Sequence, residues 1–196
     1  MIDPFPFATY SFVMSITPGP NNVMLTASGA NYGFRRTVPH LLGVTIGHTA
    51  QTVAVCAGLG AIFLRWPALQ PALQWIGAIY LVYMGWRLLG SGDPGNTATG
   101  ARPIAFFEAA AFQLLNPKAW VMSLTVASLF MPRELGLIGG CIYVATMMLL
   151  INWPCVTVWA LFGSSLRNYL QQPARRLAFN AAMALALAGT AVIMVV

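Results

Sequence analysis

Long apolar stretches alternate with short polar ones along the whole chain. Runs without a midspan charge cover about 5–31, 38–64, 68–90, 135–163 and 177–196, and a further run, about 104–131, is apolar apart from Glu108 and Lys118. A helix needs roughly 20 apolar residues to cross a bilayer, so the pattern predicts six spanning helices. The alternating segments of about ten residues that a membrane β-barrel would need do not occur. Met1-Ile2-Asp3-Pro4 carries no basic side chain, and no small-residue cleavage site follows. The first run is therefore expected to be a retained helix rather than a signal peptide.

Two of the runs are interrupted in the same way. Thr17-Pro18-Gly19-Pro20-Asn21-Asn22 lies about a dozen residues into the first, and Asn116-Pro117-Lys118 about a dozen into the fourth. Proline removes an N–H and clashes with the carbonyl four residues back, so neither run can be one unbroken helix. Freed backbone groups are tolerated at membrane depth only where protein or a water-filled cavity satisfies them, which makes paired broken helices a pointer to a solute site. Three spans precede the polar stretch from Ser91 to Arg102 and three follow it. Three is odd, so the second set runs through the membrane in the opposite sense. The expectation is an all-α polytopic membrane protein, one transmembrane domain over 1–196. Its six helices form two inverted three-helix repeats, about 1–90 and 104–196, with broken first and fourth helices and a flexible linker at about 91–103.

Charge then sets the orientation. The chain is 58% hydrophobic and only 7% charged, against roughly a quarter charged in soluble domains. The connections after spans one, three and five carry Arg35, Arg36, Arg87, Arg102, Arg167, Arg175 and Arg176; those after spans two and four carry only Arg65 and Arg133. Positive residues favour the cytoplasmic side, so both termini are expected outside. The net charge of +6 is scattered over span ends, which excludes a nucleic-acid surface. Cys56, Cys141 and Cys155 form no Cys-x-x-Cys pair and read as small packing residues. No His-Glu-x-x-His motif or nucleophile-elbow context is present, and no acidic residue lies deep in a span. The expectation is a non-enzyme without cofactor or metal.

Candidate chemistry gathers at the two breaks. If Thr17 and Asn116 cap restarted helices whose first residue is proline, two half-helix N-termini face the membrane centre. Their N–H groups and dipoles favour an anion such as a carboxylate. Lys118 adds a full charge at a depth where it must face the interior or water. The substrate set is therefore Thr17, Pro18, Gly19, Pro20, Asn21, Asn22, Gln113, Asn116, Pro117 and Lys118. Gln113 enters because Pro117 leaves its carbonyl without a helical partner, and the substrate ammonium is expected to meet such carbonyls with Asn21 or Asn22 assisting. Lys118 also reads as a structural group holding those carbonyls in place. In the second span Thr45, His48, Thr49 and Thr52 share one face with Gln51 adjacent, as a polar path or as interhelical hydrogen bonds. Asn152, beside Pro154, is a further cavity candidate. Gly43 and Gly47 suggest close helix packing. Proton-coupling candidates are His48, whose unperturbed pKa lies nearest working pH, Lys118, and Glu108, which sits near the end of its span. Tyr80, Tyr83 and Trp86 read as an interfacial aromatic belt.

These elements also carry a resemblance. Thr17-Pro-Gly-Pro-Asn-Asn22, Gly33-Phe-Arg-Arg36, Gly43-Val-Thr-Ile-Gly47, Gly77-Ala-Ile-Tyr-Leu81, Gly85-Trp-Arg-Leu88 and Asn116-Pro-Lys118 closely resemble the LysE/RhtB family of amino-acid exporters over nearly the whole chain. The resemblance implies a six-span protein of the bacterial inner membrane that exports amino acids, thought to exchange them for protons, with Pro18, Gly19, Pro20, Asn116, Pro117 and Lys118 as functional core. Exporters of lysine and arginine in the wider family carry an acidic residue in the second span, whereas residues 38–64 here contain no Asp or Glu. The Pro-Gly-Pro-Asn-Asn form resembles the branch that includes a cysteine and O-acetylserine exporter, which implies a small neutral amino acid. A passive channel, a non-transporting membrane subunit and, further off, a membrane enzyme are the alternatives, and a homo-oligomer is left open.

Overall fold

A computed structural model describes residues 2–90 and 102–196, and no strand occurs among them. The expected linker falls almost wholly outside the described residues. The first apolar run is two helices, α1 (Phe5–Ile16) and α2 (Pro20–Tyr32). Thr17, which precedes a proline, is held extended at φ −69°, ψ 146°, as the proline ring requires. The fourth run is divided likewise. Helix α6 (Phe106–Phe112) passes through a 3₁₀ turn (Gln113–Leu115) to extended Asn116, and the chain restarts as α7 (Pro117–Thr125), which continues into a π-helical turn at Val126–Phe130.

The second run departs from a single straight span. Helix α3 (Phe34–Cys56) ends before Gly58, whose φ of 110° only glycine adopts readily. The chain then turns by 75° into Leu59–Arg65, which ends as α4 (Ile62–Arg65). Helix α5 (Leu69–Leu89) follows, and after the second broken run come α8 (Gly136–Ser165), continuous through Pro154, and α9 (Pro173–Val195). By length and composition, Arg133–Ser165 and Pro173–Val195 are each long and apolar enough to cross a membrane, and α3 with its bent continuation is a third.

Small residues let the helices approach closely, as lipid-embedded helices require. Helix α2 packs on α8 with Gly29 over the Ala160 carbonyl and Gly163 over that of Thr26; an added Cβ would lie 2.3 and 2.0 Å from those oxygens. Gly43 and Gly47 of α3 bear on α6 in the same manner, against the Phe106 carbonyl and Ala110. Helix α5 pairs with α9. Three buried clusters complete the interior, of which one, Met24, Leu81, Met84, Phe112 and Leu187 with their neighbours, lies between α2, α5, α6 and α9.

Candidate functional site

The break between α1 and α2 frees a run of carbonyls, and each finds a donor. Pro18 cannot donate to Met14, so the Thr17 hydroxyl reaches the Met14 oxygen (3.2 Å) as well as that of Val13 (2.8 Å). The Asn22 Nδ2 group donates to the Ser15 and Thr17 carbonyls, both at 2.9 Å. Pro20 cannot donate to Ile16, and Trp159 of α8 donates its indole N–H there instead (3.0 Å). Unpaired backbone acceptors cost more in a membrane than in water, and this set removes them. The expected cap at Thr17 is therefore corrected: its side chain serves the end of α1, while α2 starts from extended Gly19 with no side-chain cap. Asn22 is likewise not available to a ligand as a donor, since both of its amide hydrogens are used.

The second break is stabilised differently. Asn116 Oδ1 accepts from the Lys118 backbone N–H (3.1 Å), and the Asn116 carbonyl accepts from Ala119 (3.1 Å) and Trp120 (3.2 Å). Asn116 thus caps α7 and consumes its first-turn donors. The Gln113 carbonyl accepts from the Asn116 N–H (3.2 Å), and the Trp120 indole donates to Leu114 (2.8 Å). The carbonyls expected to await an ammonium are therefore already paired. At α2 the opposite holds: the N–H groups of Gly19, Asn21 and Asn22 have no acceptor among the described residues.

Lys118 joins the two breaks. Its Nζ donates to Thr17 O (2.9 Å), Thr17 Oγ1 (2.8 Å) and Pro18 O (3.3 Å). The stem passes over Gly19, where an added Cβ would lie 3.0 Å from Lys118 Cδ and 3.3 Å from Nζ. A second bridge is the reciprocal amide pair of Asn21 and Gln113, at 2.9 and 3.1 Å.

Around these groups lies a cavity of about 30 Å³, room for a water or two. From the sequence candidates it gathers Gly19, Pro20, Asn21 and Asn22 of the first break, Asn116 and Lys118 of the second, His48 of α3 and Asn152 of α8. Asn152 donates to Ser15 Oγ (3.1 Å), while its Oδ1 and His48 Nε2 are buried without partners among the described residues. Thr17, Pro18 and Pro117 sit at the breaks but outside the lining, and Gln113 connects only through Asn21. The rest of the α3 stripe is set apart from the cavity. Thr52 bonds Ser123 across to α7 (2.8 Å), whereas Thr45, Thr49 and Gln51 are buried with side-chain polar atoms that have no partner among the described residues. Sequence reasoning missed Ser15 and Trp159. Ser11 and Ser15 are four apart in α1, and Asn152 and Trp159 seven apart in α8, so helical spacing was the signal that marked them.

Glu108 lies elsewhere. Its carboxylate pairs with Arg87 (3.1 Å) and Arg102 (3.3 Å) and accepts from the Tyr80 hydroxyl (3.3 Å). Tyr80 also stacks on Phe112 with ring centroids 5.1 Å apart. It faces the protein, not the interfacial belt in which it was expected; Tyr83 and Trp86 are exposed.

Comparison with known proteins bears on what this arrangement serves. The family model of the LysE type translocators matches residues 12–196. The chain belongs to the LysE type translocator family. Membership makes it a membrane transporter and not an enzyme. Among its relatives are the cysteine/O-acetylserine efflux proteins of Escherichia coli (strain K12) and Shigella sonnei (strain Ss046), each 29% identical over 95% of this chain and 94% of the relative. No solved structure matches this family member.

Proposed function

We propose that the chain is a secondary transporter that exports a small neutral amino acid or amino-acid derivative from the cytoplasm by alternating access and proton antiport. One observation carries the reading. The uncapped N-terminus of α2, the Lys118 ammonium and, among the described residues, the unpartnered Asn152 Oδ1 converge on one small cavity between the two halves. A zwitterion fits that donor set. Its carboxylate takes the α2 N–H groups and draws Lys118 off the Thr17 and Pro18 oxygens, and its ammonium meets Asn152 Oδ1. Among the described residues no carboxylate lines the cavity to neutralise a cationic side chain, which favours neutral substrates, as do relatives named for cysteine and O-acetylserine. A cavity of 30 Å³ is too small for an amino acid, so loading needs the halves to separate. That favours a carrier over an open channel.

The topology proposed with it is six spans as inverted repeats in the bacterial inner membrane, the arginine-rich connections in the cytoplasm and both termini outside. For proton coupling, His48 and Lys118 rank ahead of Glu108. The first two border the cavity, while Glu108 is held between two arginines. The test is counterflow of radiolabelled O-acetyl-L-serine, L-cysteine and other neutral amino acids in liposomes holding the purified protein, with an imposed pH gradient of either sign. Exchange that is saturable and accelerated by the gradient supports the reading. Non-saturable flux, or none for any amino acid, refutes the carrier, and indifference to the gradient refutes antiport.

A further inference from the structure

Each broken helix is fastened to a helix of the other half. Helix α8 holds α1 through the Asn152–Ser15 and Trp159–Ile16 bonds (3.1 and 3.0 Å) and α2 through the close contacts at Gly29 and Gly163. Helix α3 holds α6 at Gly43 and Gly47, and α7 through Thr52 and Ser123 (2.8 Å). The small cavity is lined from both assemblies. Ser28 bonds Thr37 (3.0 Å) and the Phe34 N–H donates to Ser164 Oγ (3.2 Å), which joins the assemblies beside the α2–α3 connection, where the chain itself is continuous. Any separation must therefore occur away from that connection, where the broken helices meet.

Two sets of hydrogen bonds cross between the breaks among the described residues, and they differ in which half-helices they join. Lys118 on Thr17 and Pro18 ties the end of α1 to the start of α7; both of these run to the end of the bundle that carries Glu134. The Asn21–Gln113 amide pair ties the start of α2 to the end of α6, and both run to the end that carries Arg35 and Arg36. Each tie is backed by an apolar layer on its own side. Beyond Lys118 lie Phe7 of α1 and Phe130 of the π turn, stacked at 5.7 Å, with Tyr10 5.3 Å from Phe130 and Met122 and Met148 in the same buried cluster. A π turn is a rare departure from α-helix that occurs mostly at functional sites. Beyond the amide pair lie Met24 of α2, one turn from Asn21, and Phe112, next to Gln113, clustered with Leu81, Met84 and Leu187. Methionine side chains are unbranched and repack readily, so these layers part at little cost once the polar tie is released.

We infer that the Asn21–Gln113 pair with the Met24–Phe112 layer is the gate toward the Arg36 end, that Lys118 on Thr17 and Pro18 with the Phe7–Phe130 layer is the gate toward the Glu134 end, and that the two open one at a time. Both are closed in this structure. The inference rests on the transport reading above and deepens it, since alternating access requires a separate barrier on each side of the solute.

The test is labelling of a cysteine in the cavity from each face of the membrane. In the full chain, with Cys56, Cys141 and Cys155 replaced by alanine, Val156→Cys places a thiol on the cavity wall. The membrane-impermeant anion methanethiosulfonate ethylsulfonate is applied to inside-out and to right-side-out vesicles. Exposed Arg36→Cys and Glu134→Cys, each alone in the same background, identify the two faces whatever the orientation of the chain. Gln113→Met and Asn21→Leu should each speed labelling from the Arg36 face about fivefold or more, since two hydrogen bonds no longer oppose opening there, and leave the Glu134 face within about twofold. Phe130→Ala and Phe7→Ala should do the reverse. Two variants per gate keep the test decisive where one fails to fold. Labelling that rises equally from both faces, rises from the wrong face, or does not rise in the folded variants overturns the gates. Labelling needs no transport, so one-sided opening in these variants alongside a wild type that exchanges no amino acid would sink the carrier reading and leave the gates standing.

Discussion

Substituting Asn22→Ala tests whether paired carbonyls hold the first break together. The change deletes two hydrogen bonds of 2.9 Å, to Ser15 O and Thr17 O. Thr17 O keeps Lys118 as donor, but Ser15 O keeps none. An orphaned buried acceptor costs about 1–3 kcal/mol and the other lost bond about 0.5–1.5 kcal/mol, so the expected loss is ~2–4 kcal/mol. Trp159→Phe deletes only the donor to Ile16 O and should cost about 1–3 kcal/mol. Thr146→Val serves as control. Its hydroxyl back-bonds to Ile142 O inside an intact helix, where the backbone donor remains, and the change should stay within about 0.5 kcal/mol. Reversible unfolding in mixed micelles, titrated with sodium dodecyl sulfate and followed by circular dichroism, gives all three. If Asn22→Ala is no more destabilising than Thr146→Val, the carbonyl argument for the break is wrong.

Three further outcomes are expected. Gly19→Ala places a methyl against the flexible Lys118 stem, so the ammonium should shift, lowering transport at least tenfold while stability changes by less than about 1 kcal/mol; transport at the wild-type rate would contradict it. Gly163→Ala drives a methyl into the Thr26 carbonyl and should destabilise by about 1–3 kcal/mol or more, read in the same unfolding assay, and a neutral result would mean α2 and α8 can separate freely. Reporter fusions after Gly95 and Gln171 should report cytoplasm and one after Val196 the outside; an inside C-terminus would break the inverted-repeat proposal.

The positions of the breaks were legible because Pro18, Gly19 and Pro20 in close succession, and Asn116 before Pro117, act locally on the backbone, whereas the lone Pro39 and Pro154 leave α3 and α8 continuous. The partners that repair the breaks were not legible. Trp159 reaches Ile16 O from 143 residues away, and Asn22 folds back on Ser15, choices made by tertiary packing. Thr17 was misread for the same reason, since a hydroxyl between two helix ends can serve either. Lys118 was legible as a residue that must face the interior, and its contact with Thr17 and Pro18 is the structural role weighed for it. Glu108 shows the limit of charge position alone: its place near a span end was plain, but its two arginines lie on other segments. The bend at Gly58 was hidden inside an apolar run, where hydropathy does not report direction.

The central claim is that the Lys118 ammonium carries the carboxylate of the transported amino acid. The most direct measurement is saturable counterflow in proteoliposomes by wild type and by Lys118→Met, which keeps length and apolar stem but removes the charge, at matched amounts of folded protein. The account predicts that exchange by Lys118→Met falls to less than a tenth of wild type at every substrate concentration. Exchange at the wild-type rate would remove Lys118 from the transport mechanism and leave it a structural clamp between the two breaks.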